Sequence, residues 1–338
     1  MSSNASHTGT MNAIRIGTYG GRDVLRVHAV PIVRPKHGEV TVRLAFAGIN
    51  FIDVYMRNGT YRRSVTYQSE LPLALGMEGA GTVEDIGPAV RGLRPGDRVT
   101  YCLVRGSYAE VVAVPAWKCV LVPAGLPLDR ACAATLQGAA AHYLTHDVYP
   151  LVTGSTALVY AAAGGVGQLL VQFAKSRGAR VLAVVGNRQK AAIVEALGAD
   201  AVIVRSERDI VEAVHERTSG QGVNVAYDSI GMATMATTLR CICRRGTYVL
   251  YGASSGPVHS IDPLDLAEAG SLFFTRPHLA DYLKDTEELQ MRIGTVLRAV
   301  LDNRLHVAID RVVTLGEVCE AHAYLERGET RGKILIQL

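Results

Sequence analysis

Apolar and polar residues alternate singly in short runs through the first third of the chain. Glu39-Val40-Thr41-Val42-Arg43-Leu44-Ala45-Phe46 and Tyr108-Ala109-Glu110-Val111-Val112-Ala113-Val114 are the clearest. A period of two sends successive side chains to opposite faces, as in half-buried strands. Pro/Gly turns such as Leu93-Arg94-Pro95-Gly96-Asp97-Arg98 separate these runs. The pattern predicts a mostly antiparallel, barrel-like domain over residues 1–136, with residues 1–10 as a polar, flexible tail.

From about Leu136 the pattern changes. Residues 132–145 read as a small-residue helix. Valine-rich strands at 157–160, 180–185, 201–204, 223–227 and 246–251 then alternate with helices at 165–177, 188–197, 210–218 and 233–241. Such alternation predicts an α/β fold with a parallel, doubly wound sheet, here over 137–272. Beyond it, 278–303 reads as a long amphipathic helix, 315–325 as a shorter one and 333–338 as a closing strand. The segment 273–338 is expected to return and complete the first domain.

Length and composition agree with two domains: 338 residues are long for one core, and 49% of them are apolar. A net charge of +4 is too small to argue for a nucleic-acid partner. No apolar stretch has the length and purity of a membrane span, and the N-terminal segment lacks a hydrophobic signal core, so a cytoplasmic protein is expected. The six cysteines have no repeating spacing and read as buried thiols.

Candidate chemistry begins at Leu158-Val159-Tyr160-Ala161-Ala162-Ala163-Gly164-Gly165-Val166-Gly167, where a strand runs through tiny residues into an apolar helix. Residues without bulky side chains let the backbone approach a pyrophosphate, and the helix N-terminus turns its free N–H groups toward that anion. The G-x-G-x-x-G spacing falls on Ala162, Gly164 and Gly167, so alanine replaces the first glycine. This points to a dinucleotide held by Ala163, Gly164, Gly165 and Val166. Where NAD-selective folds carry an acid for the ribose hydroxyl, the chain has Gly186-Asn187-Arg188-Gln189-Lys190, with Arg205 after the next strand. Positive charge in place of an acid suits a 2′-phosphate, hence NADP(H). Tyr251-Gly252-Ala253-Ser254-Ser255-Gly256 reads either as a contact for the nicotinamide half or as a plain Gly/Ser turn.

Together these features resemble the quinone oxidoreductase branch of the medium-chain dehydrogenase/reductase superfamily, which includes the zeta-crystallin-like proteins. The resemblance covers nearly the whole chain from Met11. It rests on Gly48-Ile49-Asn50-Phe51-Ile52-Asp53, Gly76-Met77-Glu78-Gly79-Ala80-Gly81, Gly96-Asp97-Arg98-Val99 and the glycine turn. It continues through Asp228-Ser229-Ile230-Gly231, Gly252 to Gly256, and Gly270-Ser271-Leu272-Phe273-Phe274-Thr275-Arg276-Pro277. It implies a GroES-like catalytic domain wrapped around a Rossmann domain, with the active site in the cleft between them. Asn50, Phe51 and Asp53 would lie near the nicotinamide, with Tyr55 and Tyr61 lining the substrate site. Tyr55 reads equally as a packing residue. Ser229, Thr275, Arg276 and Pro277 would face the cofactor. His142, where the family often has tyrosine, is a further cofactor candidate. The family's C-terminal arginine is displaced, leaving Arg327, Arg331 or Lys333 for its role; Lys333 is taken as the cofactor contact.

In the superfamily's zinc enzymes a cysteine falls at the position of Asn50 and a histidine at that of Met77. Only Glu78 keeps a ligand-type side chain here, so no metal is expected. No histidine–carboxylate pair suggests a proton relay; water, Tyr55 or Tyr61 would supply the proton. The resemblance implies zinc-independent, NADPH-dependent reduction of quinones (an oxidoreductase of the EC 1.6.5 type), with 2-alkenal or enone reduction as an alternative. A non-catalytic NADPH-binding protein, structural or RNA-binding, is the rival from another class. Relatives also imply a homodimer joined edge to edge through its Rossmann sheets, with Ser271 to Thr275 as the edge.

Overall fold

The protein, seen in a computed structural model, is described over residues 9–67 and 70–338. The tail expected at the N-terminus falls largely outside them. The chain divides into two compact units. The first runs to Leu136 and takes in Lys284–Arg304 and Ala308–Leu338; the second comprises Gln137–Leu283 and Leu305–Val307.

In the first unit β1 (Thr10–Ile16) and β2 (Val27–Pro31) are followed by β3 (Glu39–Ile49), α1 (Phe51–Arg57) and β4 (Leu73–Ala74). Then come β5 (Glu78–Ile86), β6 (Arg98–Cys102), β7 (Val111–Pro115) and β8 (Val120–Leu121). Helix α2 (Leu128–Tyr143) contains the division between the units. The second unit holds β9 (Thr156–Val159), α3 (Gly165–Ser176), β10 (Arg180–Val185), α4 (Arg188–Ala196) and β11 (Ala201–Val204). It continues with α5 (Ile210–Arg217), β12 (Val223–Asp228), α6 (Met235–Leu239), β13 (Ile242–Leu250), α7 (Pro263–Glu268) and β14 (Phe273–Thr275). The returning segment carries α8 (Thr286–Leu301), β15 (Ile309–Val313), α9 (Val318–Glu326) and β16 (Lys333–Gln337).

The first unit contains a three-stranded sheet, β2-β1-β4, and a seven-stranded one built along β15-β16-β3-β5-β6-β8, with β7 also on β3. All its pairings are antiparallel except β15 with β16. The period-two pattern does what it predicts in β3: Val40, Val42 and Leu44 pack with Val83, Val99, Tyr101 and Val112, while Arg43 stays exposed. Because β3 pairs at its C-terminal end with β5 and β16, that end is held firmly, and it leads directly to Asn50.

The second unit is one six-stranded sheet, parallel throughout, in the order β11-β10-β9-β12-β13-β14. Counted from β9 this is 3-2-1-4-5-6, the Rossmann order. Strand β9 is buried from Ala157 to Val159, which explains its unbroken apolar run.

Several boundaries differ from expectation. Strand β14 extends the parallel sheet beside β13, so the second unit runs to Leu283 rather than ending at 272. The helix expected at 278–303 is a short 3-10 turn, Leu279–Tyr282, and then α8. The Asp285 carboxylate accepts the Glu288 N–H at 2.9 Å and starts α8 afresh. Strand β13 starts at Ile242, earlier than expected, and an irregularity in its pairing with β12 absorbs the extra residues. The helix before it is correspondingly short.

All six cysteines are unpaired. Cys102, Cys119, Cys132 and Cys241 are buried, and burial pushes the Cys119 and Cys241 thiols up to about 12. Cys319 departs from the expectation in being exposed. Among the described residues no helix is long and apolar enough to cross a membrane.

Candidate functional site

In the second unit the glycine turn follows β9 at the point where the strand order reverses, the place where open parallel sheets bind ligands. Gly164 precedes α3 with an extended backbone, leaving the helix's first N–H groups without helical partners. A Cβ on Gly164 would meet only Ala161 O, at 3.2 Å, so the space above it is open. A Cβ on Gly167 would lie 2.4 Å from Ala161 O and 2.7 Å from Ala162 Cα. Glycine there lets helix and turn touch backbone to backbone. Ala161 itself sits in the left-handed region at φ 47°, where a non-glycine residue is strained by about 1–2 kcal/mol.

The sequence-derived cofactor residues gather at one edge of this sheet, each after the C-terminal end of a strand. Ala163, Gly164, Gly165 and Val166 follow β9. Gly186, Asn187, Arg188 and Lys190 follow β10, and Arg205 follows β11. Ser229 follows β12, Tyr251, Gly252, Ser254 and Ser255 follow β13, and Thr275, Arg276 and Pro277 close β14. Gly186 has nothing within 4 Å of an added Cβ, and Arg188 and Arg205 are exposed. Asn187 caps α4, its side chain accepting the Lys190 N–H at 3.2 Å.

The Arg188 guanidinium holds the Glu207 carboxylate through two hydrogen bonds. This partner lies 19 residues away and went unread in the sequence. It neutralises part of the charge at the strand tip and keeps Arg188 firmly protonated. Gln137 was also missed; its amide lies against Gly165, where an added Cβ would come within 2.1 Å of Gln137 Oε1. The Ser255 hydroxyl is committed locally, donating to Ile230 O at 2.8 Å and accepting the Ala233 N–H at 3.0 Å. It ties the turn after β13 to the one after β12. Pro277 is buried.

The His142 ring stacks on His146 at 4.0 Å and meets the edge of Phe173 at 5.6 Å.

In the first unit, β3 delivers Asn50 to the start of α1, and the Asp53 carboxylate accepts the Asn50 N–H at 2.8 Å. The Asn50 side chain turns inward. Its Oδ1 accepts from the Lys333 ammonium at 2.7 Å, and its Nδ2 donates to Gly48 O at 3.2 Å and to Glu78 Oε2 at 3.0 Å. Lys333 also bonds Glu78 Oε2, and Glu78 Oε1 accepts the Leu136 N–H at 2.5 Å. The pair is fully buried. Gly48 makes room for it: a Cβ there would lie 2.2 Å from Glu78 Oε2 and 2.7 Å from Lys333 Cε. Lys333, expected at the cofactor, is thus corrected; its ammonium is enclosed by Asn50 and Glu78. It stands beside the two side chains that align with metal-ligand positions in zinc relatives.

A second buried network meets α1. Tyr108 OH donates to Asp53 Oδ2 at 3.0 Å, and His322 Nε2 lies 3.1 Å from that hydroxyl. Arg57 stands 3.1 Å from His322 Nδ1 and binds the Glu326 carboxylate at 2.6 Å. Arginine only donates, so Nδ1 accepts and Nε2 carries the proton. The donors all run one way, from Arg57 through His322 and Tyr108 to Asp53. Burial and Arg57 push His322 down to about 3 and keep it neutral. No histidine–carboxylate pair was read in the sequence; the fold builds this chain from segments more than 200 residues apart. Arg57 does not release its proton, so the chain orients Asp53 rather than conducting protons.

Burial drives the Asp53 carboxyl up to about 7, against the lowering effects of Asn50 N–H and Tyr108. Its Oδ1 has no hydrogen-bond partner among the described residues. A raised carboxyl stabilises the fold below its unfolded value, about 3.9, and that contribution is lost as pH rises toward 7. His322 works oppositely: its contribution is present above about 6.5 and lost as pH falls toward 3. Asp53→Asn keeps an oxygen at the Oδ2 position for both donors and abolishes the first titration. Its melting temperature should match the wild type near pH 4 and exceed it increasingly up to pH 8. A difference that is flat with pH would mean that Asp53 does not titrate in this window.

Phe51, Tyr55, Tyr61 and Tyr67 form an aromatic ladder, with successive ring centroids 5.9, 5.3 and 5.4 Å apart. Tyr55 is buried and Tyr61 half-buried. The ladder gives α1 a continuous ring-lined flank.

Comparison with known proteins adds to this geometry. Residues 36–124 match the alcohol dehydrogenase GroES-like domain and residues 165–283 the zinc-binding dehydrogenase family. The chain is 36% identical over 324 residues to a probable quinone oxidoreductase of Schizosaccharomyces pombe, covering 96% of each chain. It is equally similar, at 36%, to a 2-haloacrylate reductase of a Burkholderia species, covering 94% of this chain and 96% of that one. The structure of Escherichia coli quinone oxidoreductase complexed with NADPH superposes with a TM-score of 0.92 at 35% identity, covering 97% of this chain and all of that one.

Proposed function

The chain belongs to the quinone oxidoreductase branch of the medium-chain dehydrogenase/reductase superfamily, and we propose that it is a zinc-independent, NADPH-dependent reductase of quinones. One observation carries the cofactor reading: a glycine turn at the switch point of a 3-2-1-4-5-6 sheet, with Gly186, Arg188, Lys190 and Arg205 where an NAD enzyme places an acid. The open space over Gly164 and the unpaired N–H groups at the start of α3 fit a pyrophosphate. Relatives named quinone oxidoreductase, one solved with NADPH, support both halves of the reading. Zinc independence is supported by Lys333, whose ammonium already bonds Glu78 and Asn50. A divalent cation beside it would be repelled.

When bound, NADPH supplies a hydride from C4 of its nicotinamide to an electron-poor acceptor. Gly164, Gly165 and Val166 hold the pyrophosphate, and Arg188, Lys190 and Arg205 attract the 2′-phosphate. Asn50, whose amide Lys333 and Glu78 orient, would be the first unit's contact to the nicotinamide. The Phe51–Tyr55–Tyr61 ladder, its rings tilted against one another, offers aromatic surface for an unsaturated acceptor. The Tyr55 or Tyr61 hydroxyl, or water, gives the proton. The 2-haloacrylate reductase favours conjugated carbonyls as a second acceptor class.

A panel of quinones and enones assayed with NADPH and NADH tests the reading. We expect turnover of 1,4-benzoquinone or 9,10-phenanthrenequinone and at least tenfold higher kcat/KM with NADPH, about 1.4 kcal/mol. Equal kcat/KM for the two nucleotides would sink the phosphate reading, and NADPH binding without turnover would leave a binding protein.

We also propose a homodimer. Strand β14 is the outer strand of the parallel sheet, and Phe273 on it is 62% exposed. An apolar open edge calls for a partner. Light scattering at micromolar concentration should give twice the chain mass, and Phe273→Lys should halve it.

A further inference from the structure

Along α8 the residues Thr286, Gln290, Gly294 and Arg298 recur at every fourth position, a spacing that keeps them on one flank of the helix. The row forms one wall of an open groove of about 720 Å³, within the size range of small-molecule sites. The loop between β5 and β6 and the turn Ala116–Lys118 between β7 and β8 contribute the rest, and the whole groove lies in the first unit. It is held open by its own walls: the Gln290 amide donates to Cys119 O at 2.9 Å and fastens the helix to the opposing segment. None of its lining residues belongs to the functional sites described above.

Gly294 stands near the middle of a 16-residue helix, where glycine is less stable than alanine. Core packing does not require it. The three atoms nearest an added Cβ all belong to the Arg298 guanidinium, the closest at 3.2 Å, and a flexible arginine can swing away. That guanidinium lies over the glycine with one long hydrogen bond, 3.5 Å to Thr295 Oγ1. Arg91 lines the groove from the β5–β6 loop and is exposed; neither arginine is ion-paired among the described residues. Trp117, 38% exposed, is the one aromatic residue among those that line the groove, beside Val90, Leu93 and Leu121. The Lys118 ammonium adds positive charge 5.2 Å from its ring centroid. Among the described lining residues none is acidic.

We infer that this groove is a second ligand site and that it takes an aromatic carboxylate. The ring packs on Trp117 and the apolar side chains, and the carboxylate is answered by Arg298 and Arg91. Gly294 leaves the helix wall open for the ligand, which accounts for a residue that weakens α8.

Trp117 is the chain's single tryptophan, so contact quenching of its emission reports this groove. The probe is 4-nitrobenzoate, whose nitroarene quenches indole emission on contact. Quenching should saturate, and 4-nitrobenzamide, the same ring without the charge, should bind about tenfold more weakly. Arg91→Gln with Arg298→Gln should weaken 4-nitrobenzoate about tenfold and leave the amide unchanged. Gly294→Leu should weaken both probes about tenfold while melting no lower than the wild type, because leucine is the better helix former. That combination distinguishes a filled groove from a damaged fold. Quenching that never saturates overturns the site. Equal affinity for acid and amide, or displacement of 4-nitrobenzoate by an equal concentration of hexanoate, overturns the ligand class. A Gly294→Leu protein that binds like the wild type overturns the placement of the ligand. Emission that shifts with protein concentration in the absence of ligand would mean that a second copy of the chain covers the groove, and overturns the proposal as well.

Discussion

Gly167→Val should strongly destabilise the cofactor-free protein, whereas Gly164→Val should leave its melting temperature nearly unchanged and weaken NADPH instead. The two glycines are three residues apart, but their surroundings differ. A Cβ on Gly167 would press on Ala161 O at 2.4 Å, Ala162 Cα at 2.7 Å and Ala162 O at 2.8 Å. All three are backbone atoms of a turn anchored by the Ala162 N–H on Val184 O, 3.1 Å away, so no side chain can swing aside. Overpacking of this kind costs about 3 kcal/mol, which lowers the melting temperature by roughly 6–12 °C in a unit of this size. At Gly164 the one close atom is Ala161 O at 3.2 Å, and a small adjustment relieves it. The added side chain instead fills the space above the α3 N-terminus. We expect the NADPH dissociation constant to rise at least tenfold, about 1.4 kcal/mol. Differential scanning fluorimetry and nucleotide titration on both variants check the pair of outcomes. Normal NADPH binding by Gly164→Val would mean that this turn does not hold the phosphates.

The contrast shows which parts of the molecule could be read before folding. The glycine turn, the strand tips and the alternation in β3 are local: each depends on residues within a few positions of one another. The second unit was legible because a parallel sheet presents its ligand edge at the C-terminal ends of its strands, so a list of strand ends is already a list of candidate site residues. The first unit was less legible because its chemistry is assembled at long range. Lys333 reaches Asn50 across 283 positions, and His322 reaches Arg57 across 265. Nothing beside Lys333 in the sequence announces that β16 will pair with β3 and bring it behind Asn50. The resemblance put it in the role of the family's displaced C-terminal arginine, at the cofactor. Arg188 was read as positive charge, but its carboxylate partner Glu207 lies beyond the next strand.

Lys333→Met alone should be among the most destabilising substitutions in the first unit, and adding Glu78→Gln should restore much of the loss. The single change leaves the Glu78 carboxylate buried with only Asn50 Nδ2 and Leu136 N–H to answer it. Removing one member of a buried pair costs about 3–5 kcal/mol, because the remaining charge is neither solvated nor matched. Glu78→Gln alone should be costly for the converse reason, since the enclosed ammonium of Lys333 keeps only Asn50 Oδ1. Removing both charges replaces the pair by a thioether and an amide, and the amide can still accept from Leu136 N–H. Exchanging a buried ion pair for neutral groups is often nearly neutral in stability. The cycle is therefore strongly non-additive, with the double variant closer to the wild type than either single one. Melting temperatures of the four proteins measure it. Losses that simply add would mean that Lys333 and Glu78 do not act as a unit, and the orientation of Asn50 would need another cause.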